Sequence, residues 1–106
     1  MVAAFCTIAS RFPAGIIVGW YPIKHLAPVR TMHESIKLSG VRDVVAIELW
    51  LREPTDPTRL NGCGLLVRHP PWHWGTEWPP MLESLLLRLG FGEPGEGVRA
   101  MRITDE

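Results

Sequence analysis

Two short apolar runs separated by one amphipathic segment constrain the fold of this chain more than any other feature. Residues 15–21 (GIIVGWY) and 43–51 (DVVAIELWL) have strand composition, and the first reads as buried on both faces and ended by Pro22. Between the runs, apolar residues recur at helical spacing over 25–39, and Gly40 follows where a left-handed C-cap belongs. Strand, helix and strand within about 35 residues predict a βαβ unit with parallel strands and a right-handed crossover.

The flanking segments extend this unit. Residues 1–12 have the apolar spacing of the end of a helix, and 64–68 form another apolar run. The turn-rich loop 52–62 is too short for a crossover helix, so the strand after it is predicted to run antiparallel to its predecessor. A largely buried helix over 79–89 and a short edge strand over 98–104 complete the prediction.

Length and composition favour a single domain, residues 1–106. The hydrophobic share of 46% is too high for a disordered chain. Eleven basic and eleven acidic side chains cancel, so no overall field marks a nucleic-acid or membrane partner. No run approaches the roughly 18 apolar residues of a membrane span, and no signal-peptide pattern is present, so a soluble cytoplasmic protein is predicted.

The placement of cysteine and histidine argues against a metal site. Cys6 and Cys63 lie in unrelated contexts, which fits buried, reduced thiols better than a disulfide or a zinc site. His69 and His73 are four residues apart, but the two prolines between them prevent a regular helix from placing both on one face. No metal ligand set is therefore predicted.

Three local sequences resemble one known family. They are residues 12–24 (FPAGIIVGWYPIK), 57–67 (PTRLNGCGLLV) and 69–72 (HPPW). In this order and spacing they resemble the C-terminal portion of the RlmJ-type 23S ribosomal RNA adenine-N6 methyltransferases, a family also described as proteins for catabolism of external DNA. The resemblance covers nearly the whole chain, from about residue 11 to 89. It departs from the family at His69, where the family usually has Asn before Pro-Pro-Trp.

The resemblance implies an α/β fold, the C-terminal part of a Rossmann-like methyltransferase sheet with two parallel strands, an appended antiparallel strand and flanking helices. In the full-length family the cofactor is S-adenosylmethionine and the partner is 23S rRNA. The family's Gly-bearing cofactor loop and its Asp-Pro-Pro-Tyr motif, which engages the target adenine, belong to the front half and do not occur in this sequence. The chain is therefore expected to bind no cofactor, to hold no catalytic residue and to be inactive alone.

The segment His69-Pro70-Pro71-Trp72 looks superficially like that catalytic motif. However, an imidazole cannot replace a carboxylate or carboxamide acceptor, and the segment ends an antiparallel strand, opposite the edge where α/β ligands bind. It is interpreted as a strand terminator whose Trp72 packs beneath the sheet.

The resemblance implies a substrate-binding wall elsewhere, formed by Trp20, Tyr21, Lys24, Arg59 and Asn61. Trp20 and Tyr21 leave the carboxyl end of the first strand and offer stacking to the target base, unless they simply cap the core. Lys24 offers a phosphate contact. Arg59 and Asn61 lie in the loop that opens on the same edge, so Arg59 can pair with RNA phosphate, and Asn61 with a base edge or the turn backbone.

Two functional interpretations stay open. The first is a portion of an RNA adenine-N6 methyltransferase that contributes the wall of the target-base pocket. The second is a non-catalytic interaction module or remnant, in which the bare edge of strand 15–21 pairs with itself or with a separate front half. Self-association through this edge is expected if nothing else covers it.

Overall fold

The computed structural model describes residues 1–71 and 74–106. The described residues form helices on both sides of a single sheet. In chain order the elements are α1 (Val2–Arg11), β1 (Ile17–Ile23), α2 (Leu26–Ser39), β2 (Val44–Trp50), β3 (Gly62–Arg68), α3 (Trp74–Leu89) and β4 (Gly97–Thr104).

The sheet has the strand order β1-β3-β2-β4, and every adjacent pair is antiparallel. The predicted antiparallel direction of β3 relative to β2 is confirmed. The predicted parallel pair is not formed, because β3 is inserted between β1 and β2 and is not appended beside them. The crossover helix has 14 residues, or about 21 Å, so it easily spans two strand spacings of about 4.8 Å each.

The helices before and after β1 agree with their predictions. α1 lies within the predicted range, and α2 ends at Gly40, which has the left-handed φ of 84° expected of a C-cap. The predicted edge strand is β4, which pairs with β2. Local signals, namely apolar spacing and a terminating glycine, are sufficient for these elements.

β1 begins and ends two residues later than predicted, so Pro22 lies inside it. The backbone N–H of Asn61 donates to the carbonyl of Ile23 at 2.8 Å, which places that carbonyl on the β3 side. Backbone groups of consecutive strand residues point alternately to the two neighbours, so those of Pro22 face the free edge of the sheet. A backbone N–H at this position would have no partner on the free edge, so proline costs the sheet no hydrogen bond and the strand continues through Pro22.

The core lies on one face of the sheet, beneath α1 and α2. Helix residues Phe5, Ala9, Val29 and Ile36 pack there with strand residues such as Ile23. On the opposite face of β1 the side chains are open: Val18 is 56% and Trp20 is 57% exposed. The predicted burial of this strand on both faces is therefore wrong, because the helices that flank β1 in sequence cover the same face.

α3 also differs from its prediction. It begins five residues earlier and contains Pro79 and Pro80. It packs against β4, an edge strand, and buries Leu86, while Leu87 is 84% exposed. The predicted extensive burial is wrong because the helix has the sheet on one side only. Trp72, whose packing was predicted, and His73, the second histidine of the rejected metal pair, lie outside the described residues.

Arg68 ties the end of β3 to the end of α1. Its guanidinium donates to the carbonyls of Ala9, Phe12 and Pro13 at 3.1, 2.8 and 2.6 Å. The last carbonyls of a helix have no partners within the helix, and a cation beside them complements the helix dipole. This buried arginine therefore fixes α1 against the sheet.

Candidate substrate-facing edge

The carboxyl ends of β1 and β2 meet at one edge of the sheet. Ile23, Gly62 and Trp50 lie side by side in register at this edge. The loop 51–61 leaves from it, and β4 begins there after the loop 90–96. The residues predicted to bind substrate come from this part of the fold, which we call the carboxyl edge.

Trp20 and Tyr21 point to opposite faces of the sheet. Tyr21 is 4% exposed and belongs to the core, whereas Trp20 is 57% exposed on the other face. This is the ordinary alternation of a strand, in which adjacent side chains leave the two faces. The structure therefore does not bring these two aromatic rings together.

Tyr21 reaches across β3 to a buried carboxylate. Tyr21, Gly64 and Glu48 form one row on three adjacent strands. The tyrosine hydroxyl donates to Glu48 Oε2 at 2.6 Å. A Cβ at Gly64 would lie 2.6 Å from Cε2 of Tyr21 and closer still to its Cζ and hydroxyl, so the ring occupies the space that the glycine leaves free.

Glu48 is 1% exposed and has a full set of neighbours. Besides Tyr21, the indole Nε1 of Trp50 donates to its Oε1 at 3.2 Å, and His33 Nε2 lies 3.8 Å from its Oε2. Burial lowers the pKa of His33 and, together with the hydrogen bond to Glu48, raises the pKa of Tyr21. Glu48 thus accepts hydrogen bonds on both of its side-chain oxygens inside the core.

Sequence reasoning missed Glu48. The available signal was a carboxylate in the middle of the apolar run 43–51, because a buried charge requires partners.

Asn61 links the two loops of the carboxyl edge. It is completely buried, and its Nδ2 donates to the carbonyl of Lys24 at 2.8 Å and to that of Asp56 at 2.9 Å. Its backbone carbonyl also accepts from Leu51 N. The amide group thus holds the loops in position.

Lys24 and Arg59 are the exposed cations among the five predicted residues. The Arg59 side chain is 50% exposed and lies 3.8 Å from a carboxylate oxygen of Glu93. Arg52 pairs with the same carboxylate and donates to the carbonyl of Leu60 at 2.8 Å. Sequence reasoning missed Arg52 and Glu93. Their contact joins segments about forty residues apart and holds the loop 51–61 against the loop 90–96.

His69 lies at the opposite edge of the sheet, after the end of β3. Its Nδ1 is 2.9 Å from Asp43 Oδ2, and its Nε2 is 3.0 Å from the carbonyl of Pro13. The hydrogen bond from His69, assisted by Arg102, lowers the pKa of Asp43 below its ordinary value. Both ring nitrogens thus have partners within the fold.

Metal and membrane features were searched for in residues 1–71 and 74–106. In that part of the chain, no group of three or more His, Cys, Asp or Glu residues is arranged to hold a metal ion. Cys6 and Cys63 are free thiols, as predicted, but both are only partly buried. Among the same residues, no helix has the length and apolar character needed to cross a bilayer.

The fold defines a mixed α/β domain that resembles a solved structure, the crystal structure of protein LPL1258 from Legionella pneumophila. The two have a TM-score of 0.68 and 25% sequence identity, and the match covers 95% of this chain and 36% of that one. The family model described as ribosomal RNA large subunit methyltransferase D, RlmJ, matches residues 1–100, and the chain belongs to this family. The resemblance recognised in the sequence is confirmed.

Two curated relatives carry the name ribosomal RNA large subunit methyltransferase J. The protein of Escherichia coli (strain K12) is 29% identical over 85 residues, and that of Haemophilus influenzae is 28% identical over 79. These alignments cover 77% and 74% of this chain. The chain spans only 30% and 28% of the length of the two relatives.

Proposed function

We propose that this chain supplies the carboxyl-edge wall of a cytoplasmic, S-adenosylmethionine-dependent methyltransferase that acts on an adenine of 23S rRNA. The observation that carries the proposal is the family match over residues 1–100, in a fold whose carboxyl edge exposes Lys24 and Arg59. In this proposal β1, α2, β2 and the inserted β3 are the closing elements of a Rossmann-like sheet. The chain alone is then inactive.

The five predicted substrate residues take different roles in this proposal. Lys24 and Arg59 contact RNA phosphates, because both are exposed cations on loops that Asn61 joins. Tyr21 and Asn61 are positioning residues, since the Tyr21 hydroxyl and the Asn61 Nδ2 donate hydrogen bonds within the fold. Trp20 lies on the open face of β1, opposite Tyr21, and is given no RNA contact in this proposal.

The carboxyl edge of this chain does not fit S-adenosylmethionine by itself. Its buried carboxylate, Glu48, already accepts hydrogen bonds from Tyr21 and Trp50, and Glu93 is paired with Arg52. A cofactor with ribose hydroxyls and an amino acid group could not reach Glu48, which is 1% exposed, and would have to compete with Arg52 for Glu93. We therefore assign cofactor binding to the portion of the family that lies outside this chain, and no chemical step to the residues described.

A second candidate function is a non-catalytic interaction module. The free edge of β1 favours it, because an unpaired strand is a template for association with another copy or another protein. The two candidate functions differ in the role of Lys24 and Arg59. Phosphate contacts by these residues are needed by the methyltransferase and not by the interaction module.

A chimeric enzyme tests the proposed function. In the Escherichia coli relative, the segment aligned with this chain is replaced by this chain, and methyl transfer to 23S rRNA is measured against RNA and salt concentration. We expect Lys24→Ala and Arg59→Ala each to raise KM for RNA by roughly 3- to 10-fold and to reduce the salt dependence by about one phosphate contact. The matched control is Lys37→Ala on α2, whose side chain is 52% exposed, close to that of Arg59.

Equal effects of the edge variants and the α2 control would refute the assignment of Lys24 and Arg59. Calorimetry of this chain alone with S-adenosylmethionine gives an independent check. We expect no binding heat, and micromolar affinity would contradict the division of labour proposed above.

A further inference from the structure

Arg99 reaches from β4 to the carboxyl edge over the ring of Trp50. Trp50 ends β2 and lies in the same row as Ile23 and Gly62, so its ring belongs to this edge. Arg99 is the register partner of Glu48, two residues before Trp50, so its side chain leaves the same face of the sheet. The guanidinium carbon lies 4.5 Å from the centroid of the Trp50 ring. This distance is that of a cation–π interaction.

The ring of Trp50 is fixed from below by hydrogen bonds. It is 2% exposed, and its Nε1 donates to Glu48 Oε1 at 3.2 Å. The other oxygen of that carboxylate accepts the hydrogen bond of Tyr21, so the indole is tied through Glu48 to β1. The buried Glu48 network therefore holds in place the aromatic surface on which Arg99 lies.

The guanidinium of Arg99 keeps donors for a further partner. Arg99 is exposed, and within residues 1–71 and 74–106 no ion pair joins it to a carboxylate. By contrast, Arg52 and Arg59 at the same edge are both paired with Glu93. An arginine carries five N–H donors, and one aromatic ring cannot take all of them.

The chemistry of this side chain favours a phosphate. The planar fork of a guanidinium matches the oxygens of a phosphate and can bind two of them at once. Because the contact with Trp50 already orders Arg99, less side-chain entropy is lost when an anion binds. β1 and β4 are three strand spacings apart, about 14 Å, so Arg99 and Lys24 would contact different phosphates.

We propose that Arg99 is a further RNA-binding residue of the carboxyl edge, which contacts a phosphate beyond those bound by Lys24 and Arg59. Trp50 is its positioning residue. The inference rests on the proposed function, because it takes the partner of this edge to be RNA. It extends the RNA contact from the loop after β1 to the last strand of the sheet.

The test is binding of a labelled 23S rRNA fragment to the chimeric enzyme described above, followed by fluorescence anisotropy at several salt concentrations. Arg99→Met keeps a long side chain over Trp50 but removes the charge. It should weaken binding by roughly 3- to 10-fold and reduce the salt dependence by about one phosphate contact. An unrelated RNA of the same length should lose the same factor, because phosphate contacts carry no sequence information.

Two further variants of the pair separate the charge from its support. Arg99→Lys keeps the charge without the planar fork, so its loss of affinity should be smaller than that of Arg99→Met. Trp50→Phe keeps an aromatic face under the cation and should bind RNA within about 3-fold of the unaltered chimera. Trp50→Leu removes that face and should approach the loss of Arg99→Met.

Arg42→Met is the matched control. Arg42 is also an exposed arginine, but it lies before β2 at the opposite edge of the sheet, where its guanidinium donates to the carbonyl of Glu106. This substitution should change neither the affinity for RNA nor the salt dependence.

The proposal would be overturned if Arg99→Met weakened binding no more than Arg42→Met does. A loss of affinity with an unchanged salt dependence would also contradict it, because that result indicates altered packing without a lost phosphate contact. Methyl transfer that depends on Lys24 and Arg59 but not on Arg99 would support the proposed function and reject this inference. RNA binding that depends on Arg99 in a chimera that transfers no methyl group would support the contact and count against the proposed function.

Discussion

Replacement of Gly64 by alanine should destabilise the sheet strongly. The new Cβ would lie 2.6 Å from Cε2 of Tyr21, whereas real Cβ atoms essentially never approach another heavy atom within 3.0 Å. The new Cβ on β3 and the Tyr21 side chain on β1 belong to packed strands, so the tyrosine ring must move away from its place over β3. That movement breaks the 2.6 Å hydrogen bond to Glu48 and leaves a buried carboxylate with one fewer donor.

The magnitude follows from two contributions. Overpacking a core position costs about 1–3 kcal/mol, and losing a hydrogen bond to a charged group costs about 1.5–3 kcal/mol, so Gly64→Ala should destabilise the fold by roughly 3–5 kcal/mol. Gly97→Ala is the matched control, because Gly97 is also a strand glycine and a Cβ there would meet nothing within 4 Å. Its effect should stay within about 0.5 kcal/mol.

Urea denaturation followed by circular dichroism measures both variants, with the midpoint and the slope reported separately. A double-mutant cycle with Tyr21→Ala identifies the cause. If the clash with the tyrosine ring is responsible, Gly64→Ala should cost at least about 1.5 kcal/mol less in the Tyr21→Ala background. Equal costs in the two backgrounds, or a Gly64→Ala variant as stable as Gly97→Ala, would refute the reasoning.

Two further predictions concern the opposite edge and α1. Because the folded-state pKa of Asp43 lies below its ordinary value, its stabilising contribution should be present above about pH 4 and lost as the pH falls through the lower, folded-state pKa. Asp43→Asn should therefore reduce the acid dependence of the urea midpoint between about pH 2.5 and 5, and an unchanged dependence would contradict this. Arg68→Met removes the donors to the carbonyls of Ala9, Phe12 and Pro13. It should lower the free energy of unfolding by at least about 2 kcal/mol and accelerate amide exchange throughout α1. Unaltered exchange in α1 would argue against that role.

Local chemistry was sufficient to predict several parts of this fold. Gly40 ends α2 because it adopts a positive φ that other residues disfavour. The antiparallel direction of β3 follows from a connection too short for a crossover. Neither inference requires knowledge of distant parts of the chain.

The parts that were missed depend on which strands become neighbours. Pro22 continues β1 only because the strand has a free edge, and the insertion of β3 between β1 and β2 is a long-range choice. The same limitation affected the candidate site. Strand alternation alone separates Trp20 from Tyr21, but the tyrosine's partner, Glu48, lies 27 residues away and is reached only through the gap at Gly64.

We propose above that this chain performs the work of the corresponding segment in its methyltransferase relatives. The most direct measurement is transfer of labelled methyl groups from S-adenosylmethionine to adenine of 23S rRNA by the Escherichia coli relative in which this chain replaces the aligned segment. We expect adenine-N6 methylation by the chimera and none by the same relative with the segment deleted. A chimera that is folded and binds S-adenosylmethionine but transfers no methyl group to the RNA would contradict it.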